Sequence, residues 1–323
     1  MEYKLLGNTG VKVSPLCFGT MTFGWGADQE TSKAIFQHCR DVGINFFDCA
    51  NVYAGGHSEE ILGDLIADCR DEIVLTTKFY GGVGEEIIAR GASRYHIRQA
   101  VEDSLRRLNT DRIDVYFIHH FPSDVPLENV LRSLDDLVRQ GKILYPAASN
   151  FAAWQVAKSL GISAAKGWSR FEVLQPMYNL VKRQAEVEIL PVAQSENLGV
   201  IPYSPLGGGL LTGKYGTSKK PDEGRLTDNP MYQKRYGQQW VYQVAEDFTQ
   251  FAREQGFEPA ALAVAWVGSH PAVTAPIIGA RNLEQLEGSL KALEIDMTAE
   301  LYAQVSALSP TPPPATDRLE EQG

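Results

Sequence analysis

Short apolar runs and longer amphipathic segments alternate along almost the whole of this 323-residue chain, and that alternation narrows its fold more than any other feature. The apolar runs fall at 16–19, 44–48, 73–78, 113–119, 143–149, 171–175, 199–203 and 276–279. Segments with helical spacing lie between or after them, at 29–42, 58–68, 93–108, 126–139, 151–160, 184–197, 239–255, 258–269 and 282–292. Within 93–108, for example, Val101, Leu105 and Leu108 recur at the interval of a buried helix face. Strands alternating with helices are βαβ units, which build a parallel sheet covered by helices. An opening hairpin over 3–14, turning at Gly7-Asn8-Thr9-Gly10, precedes this pattern, and a last helix over 298–308 follows it. Residues 204–238 read as one long loop. No linker divides the chain, so residues 1–309 are expected to form a single domain. The remainder, 310–323, holds a proline cluster and then charges, and reads as a disordered tail.

Composition excludes several functions. Hydrophobic residues make up 44% of the chain, enough for a large core, yet no run of apolar residues is long enough to span a membrane. The N-terminus, MEYKLLGNTG, lacks the charged and apolar regions of a secretory signal. A formal net charge of −10 argues against nucleic acid or an anionic membrane as partner. The four cysteines, Cys17, Cys39, Cys49 and Cys69, form no CxxC pair, so neither a zinc site nor a disulfide framework is expected. A cytoplasmic protein is the expectation.

The polar residues that matter stand where apolar strands end. Asp48 closes Ile44-Asn45-Phe46-Phe47, Tyr53 follows five residues later, and Ser58-Glu59-Glu60 opens a helix with Ser58 as the expected N-cap. Lys78 closes Ile73-Val74-Leu75-Thr76-Thr77, a costly place for a cation unless a carboxylate partners it. His119 and His120 close Ile113–Ile118; strand alternation turns them to opposite faces, and no third ligand stands near, so no metal site is expected. On the residues alone, Asp48 and Tyr53 also read as a strand-end carboxylate and a loop aromatic, and Lys78 as a lysine reaching to water. If the groups converge, they suit carbonyl chemistry. A carbonyl that gains hydride needs a proton on oxygen; a tyrosine supplies one if a nearby cation favours its ionised form. Lys78 can supply that cation, Asp48 can hold the lysine in place, and one of the two histidines can orient the carbonyl or share the proton relay.

The stretch Phe46-Phe47-Asp48-Cys49-Ala50-Asn51-Val52-Tyr53-Ala54-Gly55-Gly56-His57-Ser58-Glu59 resembles the F-D-T-A-x-x-Y-G-x-x-x-S-E pattern of the aldo-keto reductases, with Cys49 for Thr and Ala54 for Gly. Thr76-Thr77-Lys78-Phe79 and Ile113-Asp114-Val115-Tyr116-Phe117-Ile118-His119 match its lysine and histidine motifs. The resemblance runs over about residues 3 to 292 and implies a (β/α)8 TIM barrel with an N-terminal β-hairpin and extra C-terminal helices. It implies NADPH as cofactor, a small-molecule aldehyde or ketone as substrate, and Tyr53 as general acid beside Asp48, Lys78 and His119. By the same resemblance Gly19-Thr20-Met21 touch the nicotinamide side, Ser149, Asn150 and Gln175 hold its carboxamide, and Tyr203 stacks on it. Ser204, Leu206 and Gly208 would meet the pyrophosphate. After Gly279, Arg281 would take the adenosine 2′-phosphate, with Gln285 beside it; four residues further on, Ser289 replaces the usual Asn. Pro146 falls inside the strand 143–149, where it supplies no ladder donor and puts local geometry in question.

Competing readings are weaker. Gly208 to Lys214 satisfies GxxxxGK, but Tyr215 follows in place of the Ser or Thr that would hold magnesium, so an ATP loop is rejected. No GxGxxG follows a strand, which excludes a Rossmann fold. The resembled family also includes NADPH-holding potassium-channel β-subunits with little turnover, and the alternative reading is a regulatory subunit of that type. For substrate specificity the candidates are Trp25, Tyr80 and His120, together with the loop carrying Arg225, Tyr232 and Tyr236.

Overall fold

A computed structural model of the chain describes residues 1–321. Two short strands, β1 (Lys4–Leu5) and β2 (Lys12–Val13), pair antiparallel across a 3-10 turn, Gly7–Thr9. The other strands are β3 (Cys17–Gly19), β4 (Phe46–Asp48), β5 (Val74–Phe79), β6 (Ile113–Ile118), β7 (Ile143–Ser149), β8 (Val173–Gln175), β9 (Gly199–Val200) and β10 (Ile277–Ile278). They form one parallel eight-stranded sheet, in the order β10-β3-β4-β5-β6-β7-β8-β9. The edges meet beyond the named strands: Thr274 N donates to Val200 O at 2.9 Å and Ile277 N to Pro202 O at 2.9 Å. With helices outside, this is the (β/α)8 barrel.

Side-chain parity builds two cores from these strands. Cys17, Phe46, Val115, Phe117, Ala147, Val173, Ile201 and Ala275 point inward and pack against Leu6 and Val13 of the hairpin, which plugs the floor. Residues of the opposite parity, such as Phe18, Phe47, Leu75, Tyr116, Ile118 and Leu174, belong to the layer shared with the helices. Inward parity then dictates what lines the barrel above its apolar floor. Asp48 lies two residues beyond Phe46, Ser149 two beyond Ala147, Gln175 two beyond Val173, and Lys78 two beyond Thr76. The inner layer thus turns polar at the C-terminal ends of the strands.

Several boundaries differ from those expected. The helix expected over 151–160 runs Ala153–Lys166, through Gly161, and stops only at Gly167, whose φ of +66° closes it. The helix expected over 184–197 is a 3-10 turn, Gln184–Glu186, and then a helix Ile189–Ser195. Pro191 has no N–H to give and fits only a first helical turn, so the helix must begin there. The loop 204–238 contains a 3-10 segment Gly207–Thr212 and two short helices, Arg225–Asp228 and Pro230–Tyr236. The second begins where Asn229 caps Met231 N and Pro230 takes the first position, a start signal legible in the sequence.

Pro146 does not distort β7, which pairs continuously with β6, Tyr116 opposite Pro146. Its carbonyl accepts from Glu172 N at 2.9 Å, one residue before β8 begins, so its missing donor faces chain outside that strand. Beyond the helix Ala299–Ala307 the tail is largely exposed and irregular, with a 3-10 turn at Leu319–Glu321; its last two residues, Gln322 and Gly323, lie outside the described residues.

Candidate active site

Lys78 is fully buried at the end of β5, and the sheet register brings it to Asp48. Its Nζ donates to Asp48 Oδ2 at 2.6 Å and to Cys49 O at 2.7 Å. The other carboxylate oxygen, Oδ1, accepts from Thr76 Oγ1 at 2.6 Å and from Gln175 Nε2 at 2.9 Å. The carboxylate is therefore held by three side-chain donors from two other strands, β5 and β8, as a buried charge must be. Tyr53 Oη lies 3.5 Å from Lys78 Nζ, at the outer limit of a hydrogen bond, and the ammonium stands 5.1 Å from the centre of the tyrosine ring. Thr76 was not singled out from the sequence. Its signal is present: Thr76 and Lys78 share a strand face by their spacing of two.

The ionisation of the pair is decided by competing effects. For Lys78, burial disfavours the ammonium, but Asp48, Tyr53 and the bond to Asp48 outweigh it and hold the pKa above the ordinary lysine value. For Tyr53 the balance runs the other way: burial pushes its pKa up to about 12, with Lys78 opposing and Asp48 and Cys49 assisting. The expected depression of the tyrosine pKa by its lysine is thus overridden by desolvation. Tyr53 is a protonated phenol at neutral pH.

His119 continues the inward parity of Phe117, its N–H bonded to Phe79 O at 2.9 Å, and its ring meets that of Tyr53 edge-on with centroids 6.4 Å apart. Burial, reinforced by Lys78 and His120, lowers its pKa to about 3, so the imidazole is neutral. The two histidines do not face apart as strand alternation required. β6 ends at Ile118, and in the bend beyond it the rings stack at 5.1 Å with 12° between planes. His120 in turn meets Tyr80 at 5.6 Å; Tyr80 holds a φ of +138°, strained for a non-glycine residue. Tyr80 and His120 therefore flank the Tyr53–His119 pair. Trp25 does not join them: it is exposed, with the Arg281 guanidinium carbon 5.8 Å from its ring.

The residues assigned to a nicotinamide lie on the neighbouring rim. Ser149 Oγ donates to Gln175 O at 3.0 Å, and Asn150 Nδ2 donates to His119 O at 2.9 Å and to Ser149 Oγ at 3.1 Å. Tyr203 Oη donates to Asn150 Oδ1 at 2.7 Å. Gly19 and Gly279 end adjacent strands so closely that a Cβ on Gly279 would lie 3.4 Å from Gly19 O. Thr20 is buried on the helix side, bonded to Asp48 O and Ser58 Oγ, while Met21 is half-buried beyond it. Ser58 is no N-cap; it lies inside the helix His57–Ile66, buried, its hydroxyl donating to Thr20 O at 2.8 Å. Cys49 stands where the motif has Thr, 3.4 Å from that hydroxyl, and burial pushes its thiol up to about 12.

On the far rim Ser204 has a φ of +59°, and its carbonyl accepts from Asn179 Nδ2 at 2.9 Å. Leu206 leads into Gly207-Gly208-Gly209, at φ of +59°, +71° and +103°. Tyr232 covers this turn: a Cβ on Gly208 would lie 2.7 Å from its Cδ1. Tyr232 and Tyr236 are themselves buried, so these aromatics hold the loop down. Arg225 and Arg235 stack on Tyr232 at 5.7 and 5.3 Å, and among the described residues neither they nor Arg281 has a carboxylate partner. Arg281 N donates to Gln285 Oε1 at 3.1 Å, at the start of the helix Leu283–Leu290. Ser289, at the site of the usual Asn, is buried.

A parallel barrel with an acid, a lysine, a phenol and a neutral imidazole converging on one rim has its polar groups at the C-terminal ends of the strands, where barrel enzymes place their chemistry. The family model for the aldo/keto reductase family matches residues 15–310, and the chain belongs to that family. It is 38% identical over 325 residues to the uncharacterized oxidoreductase YrpG of Bacillus subtilis (strain 168), covering 97% of each chain. It is 35% identical over 327 residues to a probable voltage-gated potassium channel subunit beta of Oryza sativa subsp. japonica, covering 98% of this chain and 99% of that one. Versiconal hemiacetal acetate reductase of Aspergillus parasiticus is 30% identical over 326 residues, with 93% of this chain and 94% of the relative covered.

Proposed function

We propose that the protein reduces an aldehyde or ketone to the alcohol with NADPH, Tyr53 giving the proton. The observation that carries this reading is the buried Asp48–Lys78 pair set against Tyr53 Oη. When bound, the reduced nicotinamide supplies a hydride to the carbonyl carbon. Tyr53 donates its proton to the carbonyl oxygen as charge develops there, leaving a phenolate beside the Lys78 ammonium, and solvent restores the proton. Lys78 cannot release its own charge, because Asp48 holds it. His119, neutral, serves as a hydrogen-bond donor that orients the carbonyl and not as an acid.

The rim fits the cofactor. Ser149, Asn150 and Gln175 offer the donors and acceptors a carboxamide needs, and Tyr203 offers a ring face. In the Gly207–Gly209 turn all three residues have positive φ, and Tyr232 packs on Gly208 where a Cβ would collide. Arg225, Arg235 and Arg281, without carboxylate partners among the described residues of a chain of net charge −10, suit phosphates, and Arg281 suits the 2′-phosphate that separates NADPH from NADH. The names of the reductase relatives support the activity. Four free cysteines suit a reducing, cytoplasmic setting.

The test is the loss of reduced-nicotinamide absorbance with a panel of aldehydes and ketones, for wild type and Tyr53→Phe, with NADPH and with NADH. The expected result is NADPH-preferring turnover that falls by about 10²–10⁴-fold in the variant while cofactor binding survives. Full turnover in Tyr53→Phe removes the tyrosine's role. Tight NADPH binding with no turnover favours the channel-subunit reading, and no binding of either cofactor sinks both.

A further inference from the structure

Tyr53 stands on an unusual piece of backbone. The three residues after it, Ala54, Gly55 and Gly56, have φ of +48°, +65° and +100°. On its N-terminal side the turn is tied to β5: Asn51 N donates to Lys78 O at 3.2 Å and Asn51 Nδ2 to Gly81 O at 2.9 Å. On its C-terminal side the contact is with Arg107, the last residue of the helix Arg94–Arg107. A Cβ on Gly56 would lie 2.9 Å from Arg107 Cδ and 3.0 Å from Nε, so the side chain lies directly on the bare glycine. Nε and Nη2 of Arg107 both reach Glu59 Oε2 at 2.7 Å, and Glu59 is fully buried. The other oxygen of Glu59 accepts from Thr77 Oγ1 at 2.6 Å. Thr77 directly precedes Lys78 and has the opposite parity, so Gly56, Arg107, Glu59 and Thr77 form a chain of contacts behind the sheet. It connects the Tyr53 turn with the strand that carries Lys78. The two helices also meet too closely to slide: a Cβ on Gly63 would lie 2.6 Å from the Leu108 carbonyl carbon.

We propose that the Arg107–Glu59 ion pair, its carboxylate fully buried and its arginine largely so, is a positioning device of the active site, holding the Tyr53 turn at its working distance from Lys78. The inference rests on the reductase reading and names residues that act through Tyr53 without touching substrate. A buried ion pair is a poor way to add stability, since apolar residues of the same volume serve as well or better. This one connects the turn that carries Tyr53 with the strand that carries Lys78, whose relative placement sets the distance from phenol to ammonium, and misplacement by about 1 Å can cost on the order of 10²-fold in rate.

Arg107→Met, Arg107→Lys, Thr77→Val and Gly56→Ala test it. In Arg107→Met, kcat should fall toward that 10²-fold limit while the carbonyl KM and the NADPH Kd stay nearly constant, and Arg107→Lys should recover much of the loss. Thr77→Val, which leaves the ion pair in place, should lose less. Independently of turnover, in protein labelled with 13C at tyrosine Cζ and with the Tyr53 signal assigned from Tyr53→Phe, Arg107→Met should move that signal in the direction Lys78→Met moves it. A folded Arg107→Met with a lower melting temperature, unchanged kcat and an unmoved Tyr53 signal overturns the proposal. Should Arg107→Met not fold, unchanged kcat and an unmoved signal in both Thr77→Val and Gly56→Ala overturn it. Absence of any carbonyl turnover in wild type counts against the reductase reading alone, because the labelled signal still decides the positioning.

Discussion

His119 shows how a single residue's surroundings set its chemistry. Burial beside Lys78 keeps its imidazole neutral down to a pH of about 3, whereas the unfolded chain protonates it near the ordinary value of about 6.5. The native state therefore refuses a proton that the unfolded state accepts. Stability is unpenalised above about 6.5 and is lost as pH falls below it, by up to about 1.4 kcal/mol per pH unit. His96 and His270 are also shifted down by burial, so the measurement is a difference. Between pH 7.5 and 5 the unfolding free energy of wild type should decline more steeply than that of His119→Asn; parallel curves would show that His119 is not held neutral. The charged pair at this scale was legible in the sequence, because a lysine and an aspartate ending apolar strands need each other. Ser58 and Glu59 were not. Ser58 read as an N-cap and Glu59 as a first-turn acid, and their actual partners, Thr20, Thr77 and Arg107, come from other elements that only the fold brings near.

At the scale of elements, what was hard to read was the long connection after β9. It read as one long loop, whereas two short helices fold back within it and seat Tyr232 on Gly208. Gly208 meets two demands at once: a φ of +71° and contact with an aromatic ring. Gly10, at φ of +74°, has nothing within 4 Å of its would-be Cβ and meets only the first. Gly208→Ala must displace Tyr232 and loosen the helices Arg225–Asp228 and Pro230–Tyr236, which carry two of the unpaired arginines. The expected outcome is weaker NADPH binding, by roughly tenfold or more if about 1–3 kcal/mol of overpacking falls on the loop. Gly10→Ala should leave binding unchanged; equal effects of the two variants on cofactor titrations would dismiss the role given to Tyr232. The strands were easier to read, because buried parallel strands are near-continuous apolar runs. Their closure was not, since the bonds across the seam come from residues such as Pro202 and Thr274 that lie outside the regular strands.

For the molecule as a whole, the barrel separates stability from chemistry along its axis. The floor is the hairpin plug, where Leu6 and Val13, both fully buried, complete the apolar interior and a Cβ on Gly7 would collide with the backbone of Gly199. The mouth is the polar layer, whose every charge is held by a partner from another strand. Between them stands Phe117, fully buried and paired in register with Lys78 on one side and Ala147 on the other. Leu6→Ala removes floor contacts that nothing else replaces and should cost about 2–5 kcal/mol, the range for a buried leucine that leaves a cavity. Chemical denaturation would register this as a lower midpoint with an unchanged slope. Because the variant leaves Asp48, Lys78, Tyr53, Arg225, Arg235 and Arg281 in place, kcat and KM at temperatures well below melting should match wild type. A Leu6→Ala protein that is fully folded at the assay temperature yet slower would mean that the floor sets the geometry of the mouth, and that the two ends of the barrel are one mechanical unit.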